Sequence, residues 1–85
     1  MKNHIIESYI NNLTKNDIVS FARKNNINLD QNETDYLYDV VKKNWKTIIY
    51  GNPILILNKA QYNLSKDTYN KVVTLLNIYK SKYNF

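Results

Sequence analysis

The residues best equipped for chemistry are few. The single histidine, His4, stands three residues before Glu7, a spacing that places two metal ligands on one helical face. Two ligands do not make a zinc site, which needs three or four protein donors, so both read as surface residues. Asp35 and Asp39 stand four apart, as paired carboxylates for acid–base work would. Both also fall in the first half of a long helical pattern, where the helix dipole favours acids whatever the protein does. The chain has no cysteine, which removes thiolate nucleophiles and thiolate metal sites. Gly51 is the only glycine, so a glycine-rich phosphate loop cannot be built. The expectation is a protein that is not an enzyme and takes no metal or cofactor.

The other chemistry open to these residues is binding. A net charge of +5 and a pI near 9.4 raise nucleic acid as a partner, with Lys42, Lys43 and Lys46 as candidate phosphate contacts. Their placement weakens that reading. Asp30, Glu33, Asp35 and Asp39 precede Lys42, Lys43 and Lys46 along one helical segment, the gradient that a helix dipole selects. Residues 15–50 have the outline of a helix-turn-helix, yet the would-be recognition helix opens on carboxylates, which repel phosphates. One arginine in the chain is a thin supply for guanine readout. Of the eight tyrosines, Tyr9, Tyr69, Tyr79 and Tyr83 lie on or beside apolar stripes, and Tyr36 and Tyr38 are the better candidates for exposed aromatic contacts.

The elements that must position these groups are helices. One Gly and one Pro in 85 residues are too few turn-formers for a strand-and-turn architecture. The expected fold is all-α, one compact bundle of four to five helices at about 2–12, 15–25, 31–50, 53–62 and 66–83, filling residues 1–85 as a single domain. Ile5, Ile6, Tyr9 and Ile10 are spaced for one face of the first helix. Thr14 with Asp17, and Asp30 with Glu33, have capping-box spacing, and Leu13 and Ile18 form a hydrophobic staple. The second helix should bury Ile18, Phe21 and Ala22 and end at Asn25 or Asn26, asparagine being tolerant of the left-handed conformation. Ile27 and Leu29 then plug the gap to the third.

That third helix is the spine. Leu37, Val40, Val41, Asn44, Trp45 and Ile48 give it a face that is apolar except for Asn44. Gly51 is expected to end it in the left-handed conformation, with Asn52 capping a fourth helix and Pro53 in its first position. Ser65 should cap the fifth, whose stripe is Tyr69, Val72, Val73, Leu76, Tyr79 or Lys80, and Tyr83. Asp39–Lys43 and Asp67–Lys71 are i,i+4 pairs in the favourable order.

Ile54-Leu55-Ile56-Leu57 covers every side of a helical turn, and a chain this short cannot easily surround it. An apolar remainder of a few hundred Å² marks an interface. The candidate partner surface is therefore Trp45, Ile49, Tyr50, Ile54, Leu55, Ile56 and Leu57, for a protein partner or for a homo-oligomer. The longest uncharged stretch, Thr47 to Asn58, is shorter than the roughly 17 residues a membrane helix needs. No membrane association is expected, and without cysteine or an apolar leader the reading is cytoplasmic.

The run Leu13-Thr14 to Ile18, then Ile27-Asn28-Leu29 before a second capped helix, and Ser65-Lys66-Asp67-Thr68 ahead of Val72, Leu75 and Leu76, is similar to a family of short uncharacterised helical proteins from low-GC Gram-positive bacteria. The matching positions are caps and core residues spread over most of the chain. The resemblance implies an all-helical fold and a cytoplasmic location, and it brings no catalytic residues.

Overall fold

Short polar side chains ahead of an apolar periodic segment start a helix by accepting its free first-turn amides. The computed structural model describes residues 2–83, and five helices run through them: α1 (Lys2–Asn11), α2 (Lys15–Lys24), α3 (Gln31–Tyr50), α4 (Ile54–Ala60) and α5 (Lys66–Tyr83). Thr14 Oγ1 accepts the Asp17 amide at 3.2 Å while Asp17 Oδ2 accepts the Thr14 amide at 2.9 Å, completing the box on α2. Asp30 and Glu33 do the same for α3 at 2.8 and 3.2 Å. Ser65 Oγ accepts the Thr68 amide at 3.1 Å and starts α5.

The ends are less uniform than the starts. Helix α2 closes in a Schellman motif: the Asn26 amide donates to the Arg23 carbonyl at 3.0 Å and the Ile27 amide to the Ala22 carbonyl at 2.8 Å. Asn26 takes φ 62°, the left-handed conformation expected at this terminus. Gly51 does not. Its φ and ψ are −108° and −158°, extended backbone open to any residue, so the expected left-handed stop is corrected. What favours glycine there is space, because a Cβ would lie 3.1 Å from the Thr47 carbonyl oxygen and 3.3 Å from Thr47 Cα.

Helix α4 is shorter than expected, seven residues from Ile54. Pro53 sits at its cap rather than in its first position, and Asn52 Oδ1 accepts the Ile54 amide at 3.1 Å. Within α3, Asn44 leaves helical geometry at φ −127° and ψ 15°. Its side-chain amide donates to the Val40 carbonyl at 3.1 Å. The one polar residue of the spine's apolar face is where the spine bends, as inserted polar groups do to a helix ladder.

Helix α3 packs on α1 and α2, and its 20 residues span most of the 35 Å long axis. The bundle has a radius of gyration of 12.3 Å, close to the roughly 12 Å expected of a compact chain this long. Its core is thin. Ile10, Leu13, Ala22, Ile27, Trp45, Ala60 and Leu64 are buried, but among the described residues no large side chain is sealed completely. The expected first-helix face is corrected: Ile10 goes inward and Ile6 halfway, while Ile5 and Tyr9 are exposed. Phe21 is also more exposed than expected, resting on Tyr79 with ring centroids 5.8 Å apart.

Candidate interaction surface

The end of α3 and the start of α4 bring three large exposed apolar side chains, Tyr50, Ile54 and Leu55, within six residues of one another, while Ile5 and Tyr9 are exposed on α1. In a helix, residues three and four apart share a face. On α4, Ile56, Leu57 and Ala60 turn toward the bundle, Ala60 fully buried and the other two half-buried. The opposite arc carries Ile54, Leu55, Asn58 and Lys59, all exposed. Ile54 keeps 56% and Leu55 72% of its surface, and Tyr50, at the end of α3, keeps 44%. Tyr62, just past α4, is also exposed. Ile49 is half-buried.

Trp45 is corrected out of this surface. It is buried at 9% exposure inside the bundle, with the Lys46 ammonium 5.5 Å from its ring centre. Of the seven surface candidates, Ile54, Leu55 and Tyr50 therefore face solvent, Ile49, Ile56 and Leu57 are half-buried, and Trp45 belongs to the core.

The three candidate phosphate contacts are not a free basic patch either. Lys42 Nζ donates to the carbonyls of Ile10 at 2.9 Å and Asn11 at 3.1 Å, capping the last turn of α1 from α3. A cation at a helix C-terminus faces its negative dipole end. Lys43 pairs with Asp39 at 3.0 Å. Lys46 alone has no carboxylate or carbonyl partner among the described residues. Tyr38 is half-buried between the ammonium groups of Lys15 and Lys42, 5.8 and 5.6 Å from its ring centre, so it is not an open stacking platform.

The groups weighed for catalysis are dispersed. Asp35 accepts from Lys15 at 2.9 Å and from the Gln31 amide at 2.8 Å, whereas Asp39 holds Lys43. The Lys15 ammonium, followed by the Gln31 amide, holds the Asp35 carboxyl below its ordinary range. His4 and Glu7 are both exposed, and among the described residues no group of three or more potential ligands is close enough to hold a metal ion. No helix among them is long and apolar enough to cross a membrane.

One constellation lies outside what local spacing reveals. Glu33, buried at 6% exposure, accepts the Asp30 amide on Oε1 and the Ser65 amide on Oε2, at 3.2 and 2.8 Å. A single carboxylate thus caps α3 and holds the residue that starts α5. Parallel alignment of the two helices follows, with Lys80 Nζ donating to the Gly51 carbonyl at 3.0 Å at the far end. The only sequence signal for this was a carboxylate in a capping box whose second oxygen had no local partner. Between the end of α2 and α5 runs a shallow open groove lined by Asn25, Asn26, Asn70, Lys71, Thr74, Leu75 and Ile78. Comparison with protein-family models, curated proteins and solved structures returns no match.

Proposed function

We propose that this protein is a non-enzymatic, cytoplasmic protein-interaction module whose working surface is the outer face of α4 together with the end of α3. The observation that carries the reading is the exposure of Ile54 and Leu55 on successive positions of a helix whose inner face is already occupied. Tyr50 and Tyr62 extend the same apolar region to either side in sequence. Contiguous exposed apolar surface that the chain itself does not cover is the usual mark of a protein interface. The resemblance to short helical proteins of low-GC Gram-positive bacteria enters this reading through fold and location only.

The competing reading, nucleic-acid binding through Lys42, Lys43 and Lys46, loses support because two of the three cations hold partners within the chain. The test compares exposed apolar positions with one another. Leu55→Asp should abolish capture of a specific protein from lysate of the native cells, or abolish self-association seen by light scattering, with the circular dichroism spectrum unchanged. Ile5→Asp and Ile78→Asp, at 70% and 54% exposure on α1 and α5, should leave it intact. Equal losses in all three variants would reject α4 as the working surface.

A further inference from the structure

The charges around α4 say what kind of partner fits it. Of the seven acidic residues, Asp17, Asp30, Glu33, Asp35, Asp39 and Asp67 all accept from an amide or a lysine of this chain. Lys15, Lys43 and Lys71 are taken by those acids, and Lys42 and Lys80 by backbone carbonyls. Lys46 and Lys59, like Arg23, Lys24 and Lys66, have no carboxylate partner among the described residues, but only Lys46 and Lys59 flank the exposed apolar side chains of α3 and α4, and between Asp39 and Asp67 the sequence holds no acid. Each of these two lysines stands four residues from an exposed apolar side chain on its own helix, Lys46 from Tyr50 and Lys59 from Leu55. That spacing puts ammonium and apolar side chain on one helical face. The apolar surface therefore carries unopposed positive charge and no acid of its own.

We infer that the α3–α4 surface docks an acidic amphipathic segment of another protein, with two or three apolar side chains on Tyr50, Ile54 and Leu55 and with Asp or Glu opposite Lys46 and Lys59. This rests on the reading of α4 as the working surface and adds the chemistry of what covers it. A second copy fits worse. A two-fold interface pairs the same patch with itself, so it would gather Lys46 and Lys59 of both copies around one apolar contact with no carboxylate to oppose them. Like charges brought together at an interface act against association. The outer face of α4 is about 10 Å long, two helical turns, so the contact is small and the complex transient.

The probe is a fluorescein-labelled amphipathic peptide of about 18 residues, five helical turns, with Leu on one face and Glu on the other. Its control carries Lys in place of every Glu. In anisotropy titrations the Glu peptide is expected to bind at least about ten-fold more tightly than the Lys peptide, and to weaken several-fold between about 0.05 and 0.3 M salt. The double variant Lys46→Glu, Lys59→Glu should lose at least about ten-fold in affinity. Arg23→Glu, Lys24→Glu makes the same change in net charge on α2 and should lose much less. Leu55→Asp should abolish binding.

No binding of the Glu peptide, equal binding of both peptides, or equal losses in the two double variants would overturn the inference. A homodimer lost on Leu55→Asp would also overturn it while leaving α4 as the working surface. Duplex DNA that binds and is lost with Lys46→Glu, Lys59→Glu would overturn both readings.

Discussion

Glu33 joins two helices through one carboxylate, so its removal should cost more than a local cap. Glu33→Ala leaves the Asp30 and Ser65 amides without their acceptor and is expected to destabilise the fold by about 2–4 kcal/mol in urea unfolding. Glu33→Gln keeps one acceptor oxygen and turns an NH₂ donor toward the other amide, for about 1–2 kcal/mol. An effect below about 0.5 kcal/mol in both would show that the carboxylate does not bind α3 to α5. Asp35 makes a second residue-scale prediction. Its carboxyl is held below the ordinary range by Lys15 and then by Gln31, so the folded state binds its proton less readily than the unfolded chain does. The stabilisation is present above the unfolded value of about 3.9 and fades as pH falls through the lower folded value. Lys15→Ala should move the Asp35 titration, followed by NMR, back up toward that ordinary value; no movement would reject the ion pair as the cause.

At the scale of helices, the termini separate two backbone requirements that look alike in sequence. Asn26 holds φ 62°, so Asn26→Ala should cost about 1 kcal/mol more than Asn26→Gly. Gly51 holds an extended φ, so Gly51→Ala should instead suffer from the 3.1 Å approach to the Thr47 carbonyl, losing about 1 kcal/mol by shifting the α3–α4 turn. Equal stabilities for the Ala and Gly variants at position 26 would remove the left-handed cap from the account. The helix starts were legible in sequence because Thr14 with Asp17, Asp30 with Glu33, and Ser65 ahead of Thr68 act across three residues. The i,i+4 pairs were legible for the same reason. Glu33 to Ser65, Lys42 to Ile10 and Lys80 to Gly51 were not, because each partner lies 29 to 32 residues away and no local spacing encodes it. A glycine after a helix fits both a left-handed stop and a close approach, and the residue type alone does not choose between them.

At the scale of the whole molecule, periodicity identified apolar faces but not how much of each the chain could cover. Ile5, Tyr9, Phe21, Ile54 and Leu55 all belong to apolar patterns and all remain exposed, because a chain of 85 residues encloses little volume relative to its surface. Trp45, by contrast, goes inward with the apolar face of α3, where its spacing from Val41 and Ile48 placed it, and Tyr50, off that face, stays exposed. So thin a core predicts modest stability, about 4–6 kcal/mol by urea unfolding, and a bound partner should raise the unfolding midpoint in proportion to its saturation. The most direct test of the central claim is an amide chemical-shift map recorded while the acidic amphipathic peptide is titrated into the labelled protein. Shifts should concentrate between Lys46 and Tyr62, with α2 and the start of α3 undisturbed. Shifts centred on the α2–α5 groove or on residues 15–40, with α4 silent, would contradict it.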